Sequence, residues 1–198
     1  MKHINCSACK IYTCYDGKGC AQGHGFDDYI SNTKQEYAKD ENNKILSVSS
    51  QVESDNYMKG TRLEELIDFA LKMNFKTIGI AHCVGLMNET KQLKTFLDKH
   101  FVVHTVCCKF SGINKRDFNI PQIKNDRYEA ICNPVGQAMI LNDLKTDMNI
   151  IVGLCVGHDM LFNKYSEAPV TTFIVKDRVT GHNPAATVYS DYYKRKLS

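Results

Sequence analysis

The stretch from Asn149 to Asp159 constrains the fold more than any other part of the chain. It reads Asn-Ile-Ile-Val-Gly-Leu-Cys-Val-Gly-His-Asp, an apolar run that breaks into a loop containing two glycines. A continuous apolar, β-branched run of this length predicts a strand buried on both faces, as in a parallel sheet covered by helices. Cys155 and His158 would then lie at the carboxyl end of that strand, where open α/β sheets bind ligands.

Three other segments, residues 77–82, 101–107 and 170–175, also predict strands. Helical patterns separate them, and the firmest begins at the capping box formed by Thr61 and Glu64 and ends near Met73. Strands that alternate with helices cross over right-handed into a parallel sheet. The sequence therefore predicts an α/β fold: an open, mostly parallel four-stranded sheet with helices on both faces. If the strand order is the flavodoxin-like 2-1-3-4, the loops after the first and third strands diverge, and Cys83 and Cys155 face each other across a crevice.

Asparagine residues predict where two of these helices begin. Asn88 is a candidate N-cap for the helix after the first strand, and Asn133 followed by Pro134 is a favoured start for the helix before the third strand. The apolar residues expected on the buried side of that second helix are Met139, Ile140 and Leu144.

The chain divides by composition into three parts. Residues 1–26 form a small cysteine-rich metal-binding module, residues 27–60 a polar helical connection, and residues 61–198 the α/β domain. Residues 108–128 are a long polar connection inside that domain, for which a lid or binding loop and a solvated excursion are equally favoured.

The N-terminal module has four closely spaced cysteines. Cys6-x2-Cys9 places two thiols on one tight turn, and Cys14 and Cys20 follow in a glycine-rich stretch. This pattern favours a structural Zn²⁺ bound by four thiolates, with binding coupled to folding. An iron–sulfur cluster, which also takes four cysteines, is the alternative.

Composition restricts the partners. Lys and Arg number 25 against 22 Asp and Glu, without a basic block, so nothing favours nucleic acid. The start lacks the apolar region of a secretory signal, and no apolar stretch reaches the roughly 18 residues of a membrane span. We therefore expect a cytoplasmic protein without membrane contact, whose nine cysteines stay reduced.

The five later cysteines are predicted to gather at one edge of the sheet. Most follow a predicted strand and one precedes a predicted helix, and in a parallel sheet both positions belong to the carboxyl edge. A single buried cysteine commonly packs as a small apolar residue, but five at one edge favour a second metal site or a reactive thiol. These residues are Cys83, Cys107, Cys108, Cys132 and Cys155.

The residues predicted at this edge divide into candidate catalytic residues and candidate residues for holding a cofactor or an anion. Cys155, His158 and Cys132 are the candidate catalytic residues, with His158 as a ligand or general base that Asp159 could orient. A thiolate at Cys132 would be favoured by the start of the following helix. The candidates for holding a cofactor or a small anionic ligand are Cys83, Cys108, Asn133, Lys176 and Arg178.

Five blocks of the sequence resemble a prokaryotic family of uncharacterised proteins proposed to bind metal. The resemblance runs over essentially the whole chain. It implies a metal-binding role for the four N-terminal cysteines and no established reaction. Cys83, Cys108, Cys132 and Cys155 match the cysteine pattern of that family, whereas Cys107 and His82 are additions. The blocks are Cys6-x2-Cys9-x4-Cys14-x5-Cys20, Cys132-Asn-Pro-Val-Gly-Gln-Ala138, Gly153-Leu-Cys-Val-Gly-His-Asp159, Lys164-Tyr-Ser-Glu-Ala-Pro169 and Lys176-Asp-Arg-Val-Thr-Gly-His-Asn-Pro184.

Three functions remain open at this point. The first is a metalloprotein with an N-terminal four-cysteine site and a second thiol-rich site at the sheet edge formed by Cys83, Cys108, Cys132 and Cys155. The second is an iron–sulfur or thiol-dependent enzyme that acts on a small anionic substrate. The third is a module in which metal folds a surface for a protein partner.

Overall fold

A computed structural model describes residues 4–20 and 23–197. The chain forms two compact units, Met1–Asp55 and Asn56–Ser198. The strands of the second unit are β1 (Thr77–His82), β2 (Val102–Cys107), β3 (Met148–Val152) and β4 (Val170–Ile174). The helices of the chain are α1 (Asp27–Tyr37), α2 (Asp40–Asn56), α3 (Arg62–Lys72), α4 (Met87–Leu97), α5 (Pro134–Asp143), α6 (His158–Tyr165), α7 (Ala185–Tyr189) and α8 (Asp191–Leu197).

The four strands form one parallel sheet in the order β2-β1-β3-β4. This arrangement confirms the predicted fold class, and the strand order is the flavodoxin-like one on which the predicted crevice depends. The chain leaves β1 toward one edge of the sheet and leaves β3 toward the other, so β1 and β3 border the point where connections diverge. Such a point is where open α/β sheets form a ligand crevice.

Burial follows the position of each strand in the sheet. All residues of β3, and all of β1 after Thr77, are buried, whereas β2 alternates and β4 is partly buried throughout. Strands that bury both faces must be covered on both sides, which explains the continuous apolar runs. Gly79 in β1 leaves room for a neighbouring polar side chain, because a Cβ there would lie 2.0 Å from Oδ1 of Asn149.

Helix starts agree with the sequence at two of the three predicted caps. The Thr61 side chain and Glu64 form the reciprocal capping box of α3. The Asn133 side chain caps α5 by accepting from the amide of Gly136 at 2.9 Å. The prediction for Asn88 is wrong. The N-cap of α4 is Leu86, two residues before Asn88, and it makes no side-chain cap bond.

The buried side of α5 also differs from the prediction. Met139 is 58% exposed and Leu144 is 41% exposed, while Gln137, Ala138 and Leu141 are buried. The Gln137 amide donates to the carbonyl oxygens of His82 and Val106 at the ends of β1 and β2. A polar residue therefore faces the sheet on α5, and of the three predicted apolar residues only Ile140 packs against the core.

The Met1–Asp55 unit contains two short 3-10 turns, Cys6–Ala8 and Thr13–Asp16, followed by α1 and α2. The predicted cysteine-rich module includes residues 1–3 and 21–22, which lie outside the described residues. Within the described part of the chain, no helix combines the length and apolar character that crossing a membrane would require. The predicted boundaries at residues 26 and 60 stay predictions.

Candidate functional site

Backbone hydrogen bonds fix the loops at the carboxyl edge of the sheet. The amide of Cys83 donates to the carbonyl of Val152 in β3 at 3.1 Å, and the amide of Cys108 donates to His82 in β1 at 2.8 Å. The amide of Asn133 donates to the carbonyl of Cys108 at 2.8 Å. Each of these loops is therefore held against a neighbouring element, so the cysteines stand at defined positions.

A crevice of about 800 Å³ opens at this edge. Four cysteines line it, from the loops that follow β1, β2 and β3 and from the segment before α5. His158 and Arg178 line it as well. The sequence predicted that these six residues would meet at one edge, and the structure brings them together around one crevice. The four cysteines are Cys83, Cys108, Cys132 and Cys155.

Cys108 connects three of the sulfurs. The Cys108 thiol lies between Cys83 and Cys132 and hydrogen bonds with both. Cys108 is buried. Two backbone amides also donate to these sulfurs: Val84 N lies 3.4 Å from the Cys108 sulfur, and Gly85 N lies 3.4 Å from the Cys83 sulfur. Cys108 thus joins the two outer thiols into one group.

A different cation stands beside each of the other three cysteines. Arg178 Nη2 donates to the Cys155 sulfur at 3.2 Å. Lys176 hydrogen bonds to Cys83, and Lys109 hydrogen bonds to Cys132. Positive charge favours the thiolate form of a cysteine, so Lys176 and Lys109 favour ionised sulfur at Cys83 and Cys132.

The thiol pKa values reflect this arrangement. Hydrogen bonding with Cys108 lowers the pKa of Cys132 to about 5, with further contributions from the charges of Lys109 and His158. The same central thiol, together with Gly85 N–H and Lys176, lowers the pKa of Cys83. Hydrogen bonding with Cys132, and then with Cys83, raises the pKa of Cys108 itself. These directions favour ionisation of Cys83 and Cys132 over ionisation of Cys108.

Two glycines allow Lys176 to approach the sulfurs. A Cβ on Gly85 would lie 3.3 Å from Lys176 Nζ and 3.9 Å from the Cys83 sulfur. Gly153 has φ +67°, and a Cβ there would lie 2.0 Å from Cδ1 of Leu86 and 3.5 Å from Cδ of Lys176. In the loop after β3, Gly153 is therefore required for close packing as well as for its positive φ.

A compact turn after β4 presents Arg178 to the crevice. The Asp177 carboxylate accepts from the amides of Val179 and Thr180 at 2.9 and 3.0 Å. Hydrogen bonding by Thr180 first, and then by Val179, holds the pKa of Asp177 below its usual value. His182 Nδ1 accepts from the Asp177 amide at 3.1 Å. This network fixes the backbone on both sides of Arg178.

The long polar connection forms one wall of the crevice. An isolated antiparallel bridge between Asn114 and Ala130 joins the two ends of this connection, and Lys115 pairs with Glu129 at 2.6 Å. We call residues 112–131 the flap. Lys115 and Arg127 line the crevice, whereas Arg116 instead bonds to Gln122 and Asn125 within the flap. The binding-loop interpretation of this connection is thus compatible with its position.

Several predicted roles take a different form. Asn133 is engaged in capping α5 and in a 3.3 Å hydrogen bond to Ser111, and it does not line the crevice. Cys107 does not line it either, although it is adjacent to Cys108 in sequence. His158 acts electrostatically on Cys132, whereas the side-chain partner of Cys155 is Arg178. The Asp159 carboxylate accepts from the amide of Met160 at 2.8 Å.

The N-terminal cysteines lie on short turns and none is buried. Cys6 and Cys14 are exposed, and Cys9 and Cys20 are partly exposed. Among the residues that the structure describes, no three or more His, Cys, Asp or Glu side chains are arranged to hold a metal ion. All nine cysteines are free thiols in the structure, and the expectation that they stay reduced in the cell remains a prediction.

Sequence reasoning missed three residues of the site. These are Lys109 and Arg127, which lie in the polar connection of residues 108–128, and Gly85, which follows the first predicted strand. Their sequence signals are ordinary, because a cation in a polar loop is usually solvated. Only the fold places Lys109 beside Cys132 and Gly85 between Lys176 and Cys83.

The family model described as "Protein of unknown function (DUF1847)" matches residues 21–173. The chain belongs to the DUF1847 family. A protein of Methanocaldococcus jannaschii, named as uncharacterized, is 53% identical over 194 residues, which cover 98% of each chain. No solved structure matches the chain.

The DUF1847 match includes all four crevice cysteines and begins after Cys20, so the N-terminal cysteines lie outside it. The relative extends over both regions. Neither the DUF1847 description nor the relative's name mentions a metal. The metal-binding role implied by the resemblance therefore stays a prediction.

Proposed function

We propose that this protein is a metal-binding protein whose main centre is the crevice at the carboxyl edge of the sheet. Cys83, Cys108, Cys132 and Cys155 supply the sulfur ligands. The contact between Cys108 and its two neighbouring thiols supports this proposal most directly. Thiolates are ligands for Zn²⁺ and for iron–sulfur clusters, and both take four cysteines.

The charges around the sulfurs fit such a centre. Four thiolates outweigh the charge of one divalent cation, and Lys109, Lys176 and Arg178 compensate the remaining negative charge. A cation bound among the sulfurs would also lower the pKa of Cys108 and release its proton. The reason is that its positive charge would offset the two neighbouring thiolates, which raise this pKa.

Binding requires the sulfurs to rearrange, because no three or more of the described His, Cys, Asp or Glu side chains are arranged to hold a metal ion, so Cys83, Cys108 and Cys132 would have to close around it. Cys155 points to Arg178, at 3.2 Å, and would have to rotate toward the other three. Cys155 is partly exposed, so this rotation does not open the core.

We further propose that Cys6, Cys9, Cys14 and Cys20 hold a separate structural metal, Zn²⁺ in preference to an iron–sulfur cluster. Their spacing supports this assignment. Their exposed positions imply that the ion would supply much of the order of this segment. Reduced thiols at both sites fit a cytoplasmic protein.

Metal content measured on anaerobically purified protein tests both assignments. In a variant with the four N-terminal cysteines changed to serine, the crevice is expected to keep its metal. Adding Cys83→Ser and Cys132→Ser should remove it. Adding Cys107→Ser instead is the matched control and should leave it, since Cys107 does not line the crevice.

A folded four-serine variant without metal would contradict the assignment of the crevice. Absorption spectra identify the metal, because an iron–sulfur protein is coloured and a zinc protein is not.

One observation favours a second candidate, a thiol-dependent reaction on a small anionic molecule. Cys132 is partly exposed and stands beside Lys109 and the charge of His158. A thiolate in cationic surroundings is a good nucleophile. In metal-free protein, iodoacetate should alkylate Cys132 before Cys107, as mapped by peptide mass spectrometry. Equal alkylation of the two thiols would count against this candidate.

A further inference from the structure

The flap gives the crevice an apolar wall. Ile123 is 84% exposed and Tyr128 is 60% exposed, although both line a concave site. Exposed apolar side chains inside a crevice gain free energy when a ligand covers them. The other apolar residues of this wall are Ile120, Pro121, Ala130 and Ile131.

Hydrogen bonds within the flap fix this wall in place. The Glu129 carboxylate pairs with Lys115 at 2.6 Å and also accepts from the amide of Ile123 at 2.7 Å. The Tyr128 hydroxyl donates to the carbonyl of Gly112. The apolar wall is therefore preformed, so a ligand would not need to order it.

Positive charge predominates on the crevice surface. Lys109, Lys115, Arg127 and Arg178 line it, and among the described lining residues Glu129 is the single carboxylate. Glu129 already pairs with Lys115, and the cations beside Cys132 and Cys155 are Lys109 and Arg178. Arg127 has no hydrogen-bond or ion-pair partner for its side chain among the described residues. Its guanidinium is thus available for an anion.

We propose that the crevice binds a small organic anion with an apolar body, whose anionic group pairs with Arg127 and whose body covers Ile123. A volume of about 800 Å³ lies within the usual range for small-molecule sites, roughly 300–1,000 Å³. The proposal shares its crevice with the metal centre and deepens that assignment by naming the ligand class. It depends on the flap and its charge rather than on the sulfurs.

Two matched probes separate the contributions of charge and apolar contact. Anilinonaphthalene sulfonate is an apolar anion, and N-phenyl-1-naphthylamine is a neutral molecule of similar shape. We expect Arg127→Gln to weaken binding of the anionic probe about tenfold, as the loss of one charged hydrogen-bond partner implies, and to leave the neutral probe unaffected. Ile123→Ser should weaken both probes.

Lys124→Gln is the control, because Lys124 is an exposed flap cation that does not line the crevice. Fluorescence titration measures the dissociation constants, and circular dichroism confirms that each variant is folded. Phenyl phosphate should displace the anionic probe at a lower concentration than inorganic phosphate. Equal effects of Arg127→Gln and Lys124→Gln, or equal displacement by the two phosphates, would overturn the proposal.

Metal content measured on the same samples distinguishes this proposal from the previous one. Arg127→Gln and Ile123→Ser should retain the metal of the wild-type protein, since neither residue contacts a sulfur. A protein that holds metal but binds both probes non-specifically refutes only the ligand. A protein that binds the anionic probe as expected but holds no metal refutes only the metal centre.

Discussion

The two groups of four cysteines contrast in how the chain assembles them. Cys6, Cys9, Cys14 and Cys20 lie within 15 residues of sequence, yet they sit on exposed turns and none is buried. The crevice cysteines extend over 73 residues, from Cys83 to Cys155, yet three of them are in contact. Close spacing in the sequence does not by itself bury the N-terminal thiols, whereas the folded edge of the sheet holds the crevice thiols in defined positions.

The contrast implies different dependence on metal. The crevice sulfurs are positioned by a core that exists without an ion, because β1 and β3 are buried throughout their central residues. The N-terminal segment has no buried residue in either 3-10 turn, so little except a ligand could order its cysteines.

Glycine substitutions should give the largest difference in stability. Gly153→Ala places a Cβ 2.0 Å from Leu86 at φ +67°, so overpacking and backbone strain should lower the free energy of unfolding by about 3 kcal/mol. Gly17→Ala at φ +71° meets nothing within 4 Å and should cost about 1 kcal/mol or less. Denaturant unfolding measures both, and similar losses would argue against a rigid crevice.

The thiolates of the crevice should depend on the central hydrogen bond. Cys108→Ala removes the main cause of the lowered pKa of Cys132, so ultraviolet thiolate absorbance of metal-free protein near neutral pH should fall. Cys108→Ser keeps an O–H donor and should retain most of that absorbance. If the two variants behave alike, the hydrogen bond does not hold the thiolate.

The sign of the linked pH effect follows from the lowered pKa. A pKa of about 5 for Cys132 lies below the ordinary thiol value of about 8.5. The ionised form therefore contributes stability that is fully present above about pH 8.5 and is lost as the pH falls to about 5. Unfolding midpoints of wild-type protein and Cys132→Ser, measured across this window, should converge at its acidic end.

Two asparagines give a smaller effect. Asn133 caps α5 directly after Cys132, so Asn133→Ala should cost about 1 kcal/mol. Asn5 stands before a 3-10 turn, makes no side-chain cap bond there and accepts from the exposed Ser7 hydroxyl at 2.7 Å, so Asn5→Ala should change the free energy of unfolding by less than about 0.5 kcal/mol. Chemical unfolding of the two variants tests the difference, and a larger loss for Asn5→Ala would reverse it.

The smallest effect concerns the N-terminal cysteines. Replacing all four by serine should change the free energy of unfolding of the α/β domain by less than about 0.5 kcal/mol, because the two units are compact separately. Unfolding followed by the near-ultraviolet signal measures it. A loss comparable to that of Gly153→Ala would show that the N-terminal segment supports the crevice.

Much of the fold could be predicted because its determinants are local. The apolar runs of β1 and β3 identify central strands, and the Thr61–Glu64 box identifies the start of α3. Met139 and Leu144 could not be placed correctly from hydrophobicity, since Gln137 instead faces the sheet and bonds to strand carbonyls.

The site was predictable only in part for a related reason. Parallel topology places residues after successive strands at one edge, which located Cys83, Cys108 and Cys155. The pairing of Lys109 with Cys132 and of Arg178 with Cys155 depends on loop conformations such as the Asp177 turn. No spacing rule connects these residues, so the electrostatics of the site became visible only in three dimensions.

X-ray absorption spectroscopy at the metal edge, on anaerobic protein with all four N-terminal cysteines changed to serine, tests the central claim most directly. The account predicts a bound metal with sulfur as its main ligand, supplied by the crevice cysteines. A folded variant without metal, or with a metal surrounded by nitrogen and oxygen, would contradict it.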